Sequence, residues 1–168
     1  AVYMNAGAYG GEMKDVLYSV NHIDENGNIG TLEKENLQLG YRHSAYTENG
    51  YVITSAVLKL RKADKKDIKE AMDDKLRKRK DKQPLEYPSA GSTFKRPEGY
   101  FAGALIEDCG LKGYTVGGAQ VSEKHAGFVI NKGGATSTDV ITLIKEVQII
   151  VNEKHGVMLQ TEVKIVGE

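Results

Sequence analysis

The chain has a single cysteine, Cys109, among its 168 residues. An internal disulfide is therefore excluded, and the composition is that of a reducing, cytoplasmic environment. Net charge is absent as well, with 23 Lys and Arg against 23 Asp and Glu. No bulk electrostatic pull toward nucleic acid or a membrane surface is expected. No apolar run approaches bilayer length, and no charged-then-apolar leader precedes a cleavage site. Prolines number three and all lie between residues 84 and 97, so punctuation is concentrated in one stretch. With 40% hydrophobic and 27% charged residues, the chain is neither disordered nor membrane-embedded.

Its opening, Ala1-Val2-Tyr3-Met4-Asn5, is apolar and has no initiator methionine. It reads as the interior of a domain, so a preceding partner segment is expected. Residues 3–11 are small and Gly-rich, which suits close approach of backbone to another group. Strands are expected over 16–20 and 51–58, with Asn26-Gly27 marking a hairpin turn between residues 24 and 28. Residues 64–80 read as a helix with Ile68, Ala71, Met72 and Leu76 on one face, ending before Pro84. A turn-rich stretch runs from Gln83 to Pro97. A short helix over 104–109 is stopped by Gly110. Strands at 114–116 and 126–130 flank Gly117-Gly118. Ser137-Thr138-Asp139 is expected to cap a helix with the stripe Val140, Ile144, Val147 and Val151, ending near Gly156. A last strand is expected over 157–166, with Glu162 turned away from its more apolar face. These elements define an α+β chain with a β-rich part, 1–62, and an α+β part, 63–168.

Several constellations have plain structural readings. Asp24, Asn26, Asn28 and Glu35 half-match a calcium loop, but Ile29 stands where the sharp turn requires Gly, so a hairpin turn is expected. The stretch from Lys59 to Lys82 holds twelve Lys/Arg against six Asp/Glu. Its acids are interleaved, with Asp73–Arg77 and Asp74–Lys78 at pairing distance, and no aromatic lies among them to stack on bases. A solvated helix face is expected in place of a nucleic-acid site. His22, His43, His125 and His155 show no metal-ligand spacing. Arg42, Ser92 and Glu162 each have an ordinary reading too, as a surface ion pair, a turn residue and an exposed strand residue.

The same segments carry a resemblance. Met4-Asn5-Ala6-Gly7-Ala8-Tyr9-Gly10, Tyr41-Arg42-x-Ser44, the run from Lys82 to Phe94 (Lys-Gln-Pro-Leu-Glu-Tyr-Pro-Ser-Ala-Gly-Ser-Thr-Phe) and Lys124-His125-Ala126-Gly127-Phe128 resemble the UDP-N-acetylenolpyruvoylglucosamine reductase family, in order and approximate spacing over essentially the whole chain. The resemblance implies the C-terminal part of a FAD-binding domain of the vanillyl-alcohol-oxidase type (1–62), followed by an α+β substrate-binding domain (63–168). It implies FAD and NADPH as cofactors, reduction of UDP-N-acetylglucosamine enolpyruvate to UDP-N-acetylmuramate for the cell wall, and an N-terminal flavin-binding lobe of the same enzyme before Ala1. Without that lobe the isolated chain is expected to be colourless and inactive. Ser92 matches the family's proton donor, and Arg42 and Glu162 match the pair that stabilises the enolic intermediate. Asn5, Ala6, Gly7, Ala8, Tyr9 and Gly10 match a segment near the flavin, and Lys82 and His125 match contacts to the UDP moiety. The tyrosine-bearing loop that some members insert is replaced here by the charged helix, and Arg96 stands where others carry a shorter polar residue. A non-catalytic nucleotide-sugar-binding module is the competing reading. It keeps Lys82 and His125 but has no need of Ser92.

Overall fold

The computed structural model describes residues 1–167. The chain divides into two compact units, Ala1–Met72 and Asp73–Glu168. Both are antiparallel in their sheets, so the architecture is α+β, as expected.

In the first unit, strands β1 (Gly7–Ala8) and β2 (Gly11–Glu12) form a minimal hairpin. Its two turn residues, Tyr9 and Gly10, have φ of 52° and 81°. Positive φ at both positions matches the right-handed strand twist, and Gly10 adopts it without a Cβ penalty. Strands β3 (Leu17–Ile23), β4 (Ile29–Glu33) and β5 (Val52–Leu58) form a sheet in the order β4-β3-β5. The expected Asn-Gly turn joins β3 to β4. Gly27 has φ 83°, and Asp24 Oδ1 accepts from the Asn26 and Asn28 amides at 2.9 and 2.8 Å. This Asx geometry disposes of the calcium-loop reading in favour of the hairpin. Leu17, Val20, Leu37 and Tyr46 make the small core.

Helix α1 (Lys65–Lys82) follows, and the division between the units falls inside it. The periodic Ile68, Met72 and Leu76 are 45%, 64% and 50% exposed, and the helix buries none of its residues. Local charge pairs run along it: Asp74 meets both Arg77 and Lys78 at 2.6 Å, and Lys66 meets Glu70 at 3.9 Å.

The second unit is a four-stranded sheet in the order β6-β9-β8-β7: β6 (Ser89–Ser92), β7 (Thr115–Val116), β8 (Ala119–Val121) and β9 (Phe128–Asn131). Helices α2 (Ala102–Asp108) and α3 (Ser137–His155) pack with it around Leu105, Ile106, Val121, Leu143, Val147 and Val151. Four sequence expectations need correction. Part of the stretch read as turns, Ser89–Ser92, is the edge strand β6. Strand β8 lies in a segment whose two preceding glycines hid it. The cap of α3 is Thr136, one residue before the expected trio: its Oγ1 accepts from Asp139 N at 3.1 Å and Asp139 Oδ2 accepts from Thr136 N at 2.9 Å. The expected last strand over 157–166 is not formed. Among the described residues only Thr161 bridges, to Phe94, flanked by single backbone bonds from Lys95 N to Gln160 O and from Glu162 N to Thr93 O. Its inner alternation survives, with Leu159 1% exposed, but Ile165 is 66% exposed. Among the described residues no helix is long and apolar enough to cross a membrane.

Gly117-Gly118 has a structural cause. A Cβ on Gly118 would lie 2.4 Å from the Ala135 amide nitrogen and the Gly133 carbonyl, and one on Gly117 would lie 2.4 Å from the Asp139 carboxylate. The β7–β8 turn thus presses on the start of α3. Gly118→Ala is expected to cost about 1–3 kcal/mol through forced backbone displacement, read as a lowered thermal midpoint. The Asp139 carboxyl is held below the usual carboxylate range, chiefly by the Thr136 backbone N–H and then by that of Gly118. A depressed folded-state value contributes stability above the unfolded value and loses it as pH falls through the folded one. Asp139→Asn is therefore expected to lower the thermal midpoint at neutral pH, with the gap to wild type closing below about pH 4.

Candidate active site

Arg42 is placed by a turn. Gly40 N donates to His43 O at 3.1 Å and His43 N returns to Gly40 O at 3.3 Å, leaving Tyr41 and Arg42 at the tip. Arg42 has φ 52°, a left-handed conformation that costs a non-glycine residue of the order of 1–3 kcal/mol and persists only where the surroundings impose it. Here they do. Asn5 Nδ2 donates to Gly40 O at 3.0 Å, Ser44 Oγ to Tyr3 O at 2.7 Å, and the His43 ring meets Thr47 Oγ1 at 2.9 Å.

Asn5 is 2% exposed, and its side chain is fully engaged. Besides Gly40 O it donates to Glu12 Oε2 at 2.7 Å, and its Oδ1 accepts from Lys14 N at 2.9 Å. It is the tie between the Gly-rich hairpin and the Arg42 turn. Asn5, Gly7, Ala8, Gly10, Gly11, Glu12, Tyr41 and Arg42 line a hollow of about 330 Å³. The resemblance expected residues 5–10 to lie beside a flavin; in the structure Asn5 is engaged within the chain, and Gly7, Ala8 and Gly10 form part of the wall of the hollow.

Ser92, Glu162 and His125 lie on segments of the second unit that backbone hydrogen bonds connect through Thr93 and Gly127. Ser92 ends β6 opposite Phe128; it is exposed, and its hydroxyl has no hydrogen-bond partner among the described residues. Its neighbour Thr93 is buried, and the Thr93 carbonyl accepts from Glu162 N at 2.8 Å. Ser92 is thus one residue removed from the backbone hydrogen bond that Glu162 makes. His125 lies in the loop between β8 and β9, closed by Ser122 Oγ, which accepts from the Lys124 and His125 amides at 3.2 Å each. The His125 ring packs edge-on against Phe128, centroids 5.0 Å apart. Its Nδ1 faces the Gly127 N–H at 3.1 Å. That group can only donate, so Nδ1 accepts and a neutral ring carries its proton on Nε2, which faces no partner among the described residues.

Lys82 ends α1, exposed and without an ion pair among the described residues. Lys124, adjacent to His125, donates to the Lys80 carbonyl at 2.6 Å and pairs with Glu86 at 3.7 Å. This fastens the end of α1 that bears Lys82 to the His125 loop. Arg96 stacks on Phe101 at 4.0 Å and donates from Nε to Tyr100 O at 3.3 Å. Cys109 caps the end of α2 and packs against the core, and burial pushes its thiol up, away from nucleophilic use. Among the described residues no His, Cys, Asp and Glu cluster can hold a metal. Sequence reasoning passed over Thr93 and Ser122, whose roles depend on a bulge and a loop with no periodic signal.

Residues 83–166 match the family model described as UDP-N-acetylenolpyruvoylglucosamine reductase, C-terminal domain. The chain belongs to this family of reductases. It is 59% identical over 167 residues to the UDP-N-acetylenolpyruvoylglucosamine reductase of Clostridium perfringens strain SM101, covering 99% of this chain and 55% of that protein. To the protein of the same name from Clostridium novyi strain NT it is 60% identical over 168 residues, 100% of this chain and 55% of the relative. Among solved structures, the UDP-N-acetylenolpyruvylglucosamine reductase (MurB) from Thermus caldophilus superposes with a TM-score of 0.85 at 38% identity, covering 98% of this chain and 58% of that one. The chain spans about half the length of the relatives it matches.

The Asn5 tie has a direct test. Asn5→Ala is expected to cost about 1–3 kcal/mol, the range for leaving buried polar partners unmade. Hydrogen exchange should quicken at the Lys14 amide and across residues 40–43, while residues 119–131 exchange as in wild type.

Proposed function

We propose that this chain is the C-terminal half of an enzyme that reduces UDP-N-acetylglucosamine enolpyruvate to UDP-N-acetylmuramate for peptidoglycan synthesis in the cytoplasm, using FAD and NADPH. Residues 1–62 complete the flavin domain, of the vanillyl-alcohol-oxidase type, and residues 63–168 form the substrate domain. The remainder of the flavin domain is supplied by an N-terminal lobe of the same enzyme. The observation that carries the reading is the Thr93–Glu162 hydrogen bond, which puts an unpartnered hydroxyl and a carboxylate on adjoining segments in a member of a reductase family.

The residues present suit part of a flavin dinucleotide. The 330 Å³ hollow is at the small end of the roughly 300–1,000 Å³ of ligand sites. A Cβ on Gly10 would meet nothing within 4 Å and one on Gly11 only Asp15 Oδ2 at 3.9 Å, so these walls are open to a flat group. When bound, the flavin supplies the hydride. The chain's own residues handle charge and proton. Reduction of an enolpyruvyl double bond places negative charge beside the substrate carboxylate, which the Arg42 guanidinium meets with paired donors. Ser92 Oγ gives its proton to the adjacent carbon. Glu162 orients and stabilises the enolic group. Lys82 as a point charge and His125 through Nε2–H bind the UDP moiety.

In the full-length protein, Ser92→Ala is expected to leave flavin reduction by NADPH intact and to lower formation of UDP-N-acetylmuramate about 10²–10⁴-fold, the usual span of general-acid catalysis. Stopped-flow absorbance of the flavin and product analysis give both values. Undiminished turnover would remove Ser92 from the reaction and favour a binding module.

A further inference from the structure

Thr93 is bonded in three directions at once. Its amide donates to Gly127 O at 2.8 Å, its carbonyl accepts from Glu162 N at 2.8 Å, and its hydroxyl accepts from Val129 N at 3.0 Å. The third bond is unusual for a strand residue. Val129 N would ordinarily find a backbone carbonyl on the neighbouring strand, but β6 and β9 slip out of register between Ser89 and Ser92, where Gly91 adopts φ 88°. A bulge of this kind leaves ladder groups unmatched, and the Thr93 hydroxyl stands in for the missing acceptor. Thr93 is 2% exposed, so water does not fill the role. Ser92 precedes this knot and Glu162 hangs from it. The Gly127 amide that holds the His125 ring belongs to the residue whose carbonyl accepts from Thr93.

We infer that Thr93 is a positioning residue: its hydroxyl, by completing the β6–β9 pairing across the bulge, sets the separation between the Ser92 hydroxyl and the Glu162 carboxylate. This rests on the proposed function, since it presumes that both groups act on the substrate. Thr93 itself touches no reacting atom. Valine has the same branched shape and no acceptor, so Thr93→Val leaves the buried Val129 N–H unmatched and lets the bulge readjust. Serine restores the acceptor. A displacement of about 1 Å at a reacting group can cost on the order of 10²-fold in rate.

The test uses the full-length flavin-loaded enzyme and separates its two halves by stopped flow. NADPH reduction of the flavin reports the correctly folded fraction. Reoxidation of reduced flavin by UDP-N-acetylglucosamine enolpyruvate reports the placement of Ser92 and Glu162. For Thr93→Val the reoxidation rate is expected to fall about 10–100-fold with the reductive rate unchanged and a smaller change in KM than in kcat; Thr93→Ser is expected to stay within about threefold of wild type. Thr93→Ala, which removes the hydroxyl without crowding, gives the same reading where valine does not load flavin. The inference is overturned if the valine and alanine variants reoxidise at the wild-type rate, if both half-reactions slow together, if serine fails to rescue, or if neither hydroxyl-free variant loads flavin, which would make the hydroxyl a folding requirement only. Ser92→Ala distinguishes the two levels. Wild-type turnover there sinks the proposed function itself, whereas lost reoxidation in Ser92→Ala with normal reoxidation in Thr93→Val sinks only the role of Thr93.

Discussion

One backbone hydrogen bond, from Glu162 N to Thr93 O, joins the C-terminal segment to the sheet at the point where Ser92 ends β6. Among the described residues, the segment bearing Glu162 has a single bridge, Phe94 to Thr161, with Lys95 N on Gln160 O as its second bond. A full ladder would spread the placement of Glu162 over many bonds. A single bridge concentrates it, and the buried Thr93 makes the bridge rigid because each of its polar groups is engaged in a dry environment, where an unmatched group is costly. Leu159, 1% exposed, and Gln148, whose Nε2 donates to Leu159 O at 2.7 Å, anchor the approach from the α3 side.

The first unit solves a different problem. A guanidinium on a loop has many rotamers, and fixing it has an entropic cost. Here the backbone under Arg42 is forced into a left-handed turn, and three side chains, Asn5, Ser44 and His43, hold the flanks. Strain imposed by buried or half-buried polar ties is how a loop can present a charge with little freedom. The exposed Tyr41 ring, 5.2 Å from the guanidinium carbon, narrows it further through a cation–π contact of modest strength.

Much of this was readable from residue order. The Asn26-Gly27 hairpin, the helix spans and the stripe of α3 obey short-range rules, so spacing alone found them. The errors share a cause, which is that partners decide what local pattern leaves open. Residues 157–166 alternate as a strand should, yet strand formation needs a paired neighbour, and among the described residues only Thr161 has one. Ile68, Met72 and Leu76 keep helical period but have nothing to cover them within either unit as described. Ser137 and Thr138 are good caps by type, but Thr136 is the residue whose backbone turns extended (φ −86°, ψ 163°). For the site, composition ranked Arg42, Ser92 and Glu162 no higher than ordinary surface residues. Only the family resemblance singled them out, because a positive φ at Arg42 and a hydroxyl-filled bulge at Thr93 leave no periodic trace.

The two groups of candidate residues are therefore built independently, each within its own unit by ties that close locally. Asn5 acts on residues 12, 14 and 40, and Thr93 on residues 127, 129 and 162. This separates preorganisation from assembly. Each set sits on backbone that the chain itself ties down, at residues 40–43 and at 92–93 with 162, so the ordering of those segments is not left to a ligand. It also predicts the character of damage: a lesion in one knot should displace the residues that knot holds and leave the local geometry of the other in place.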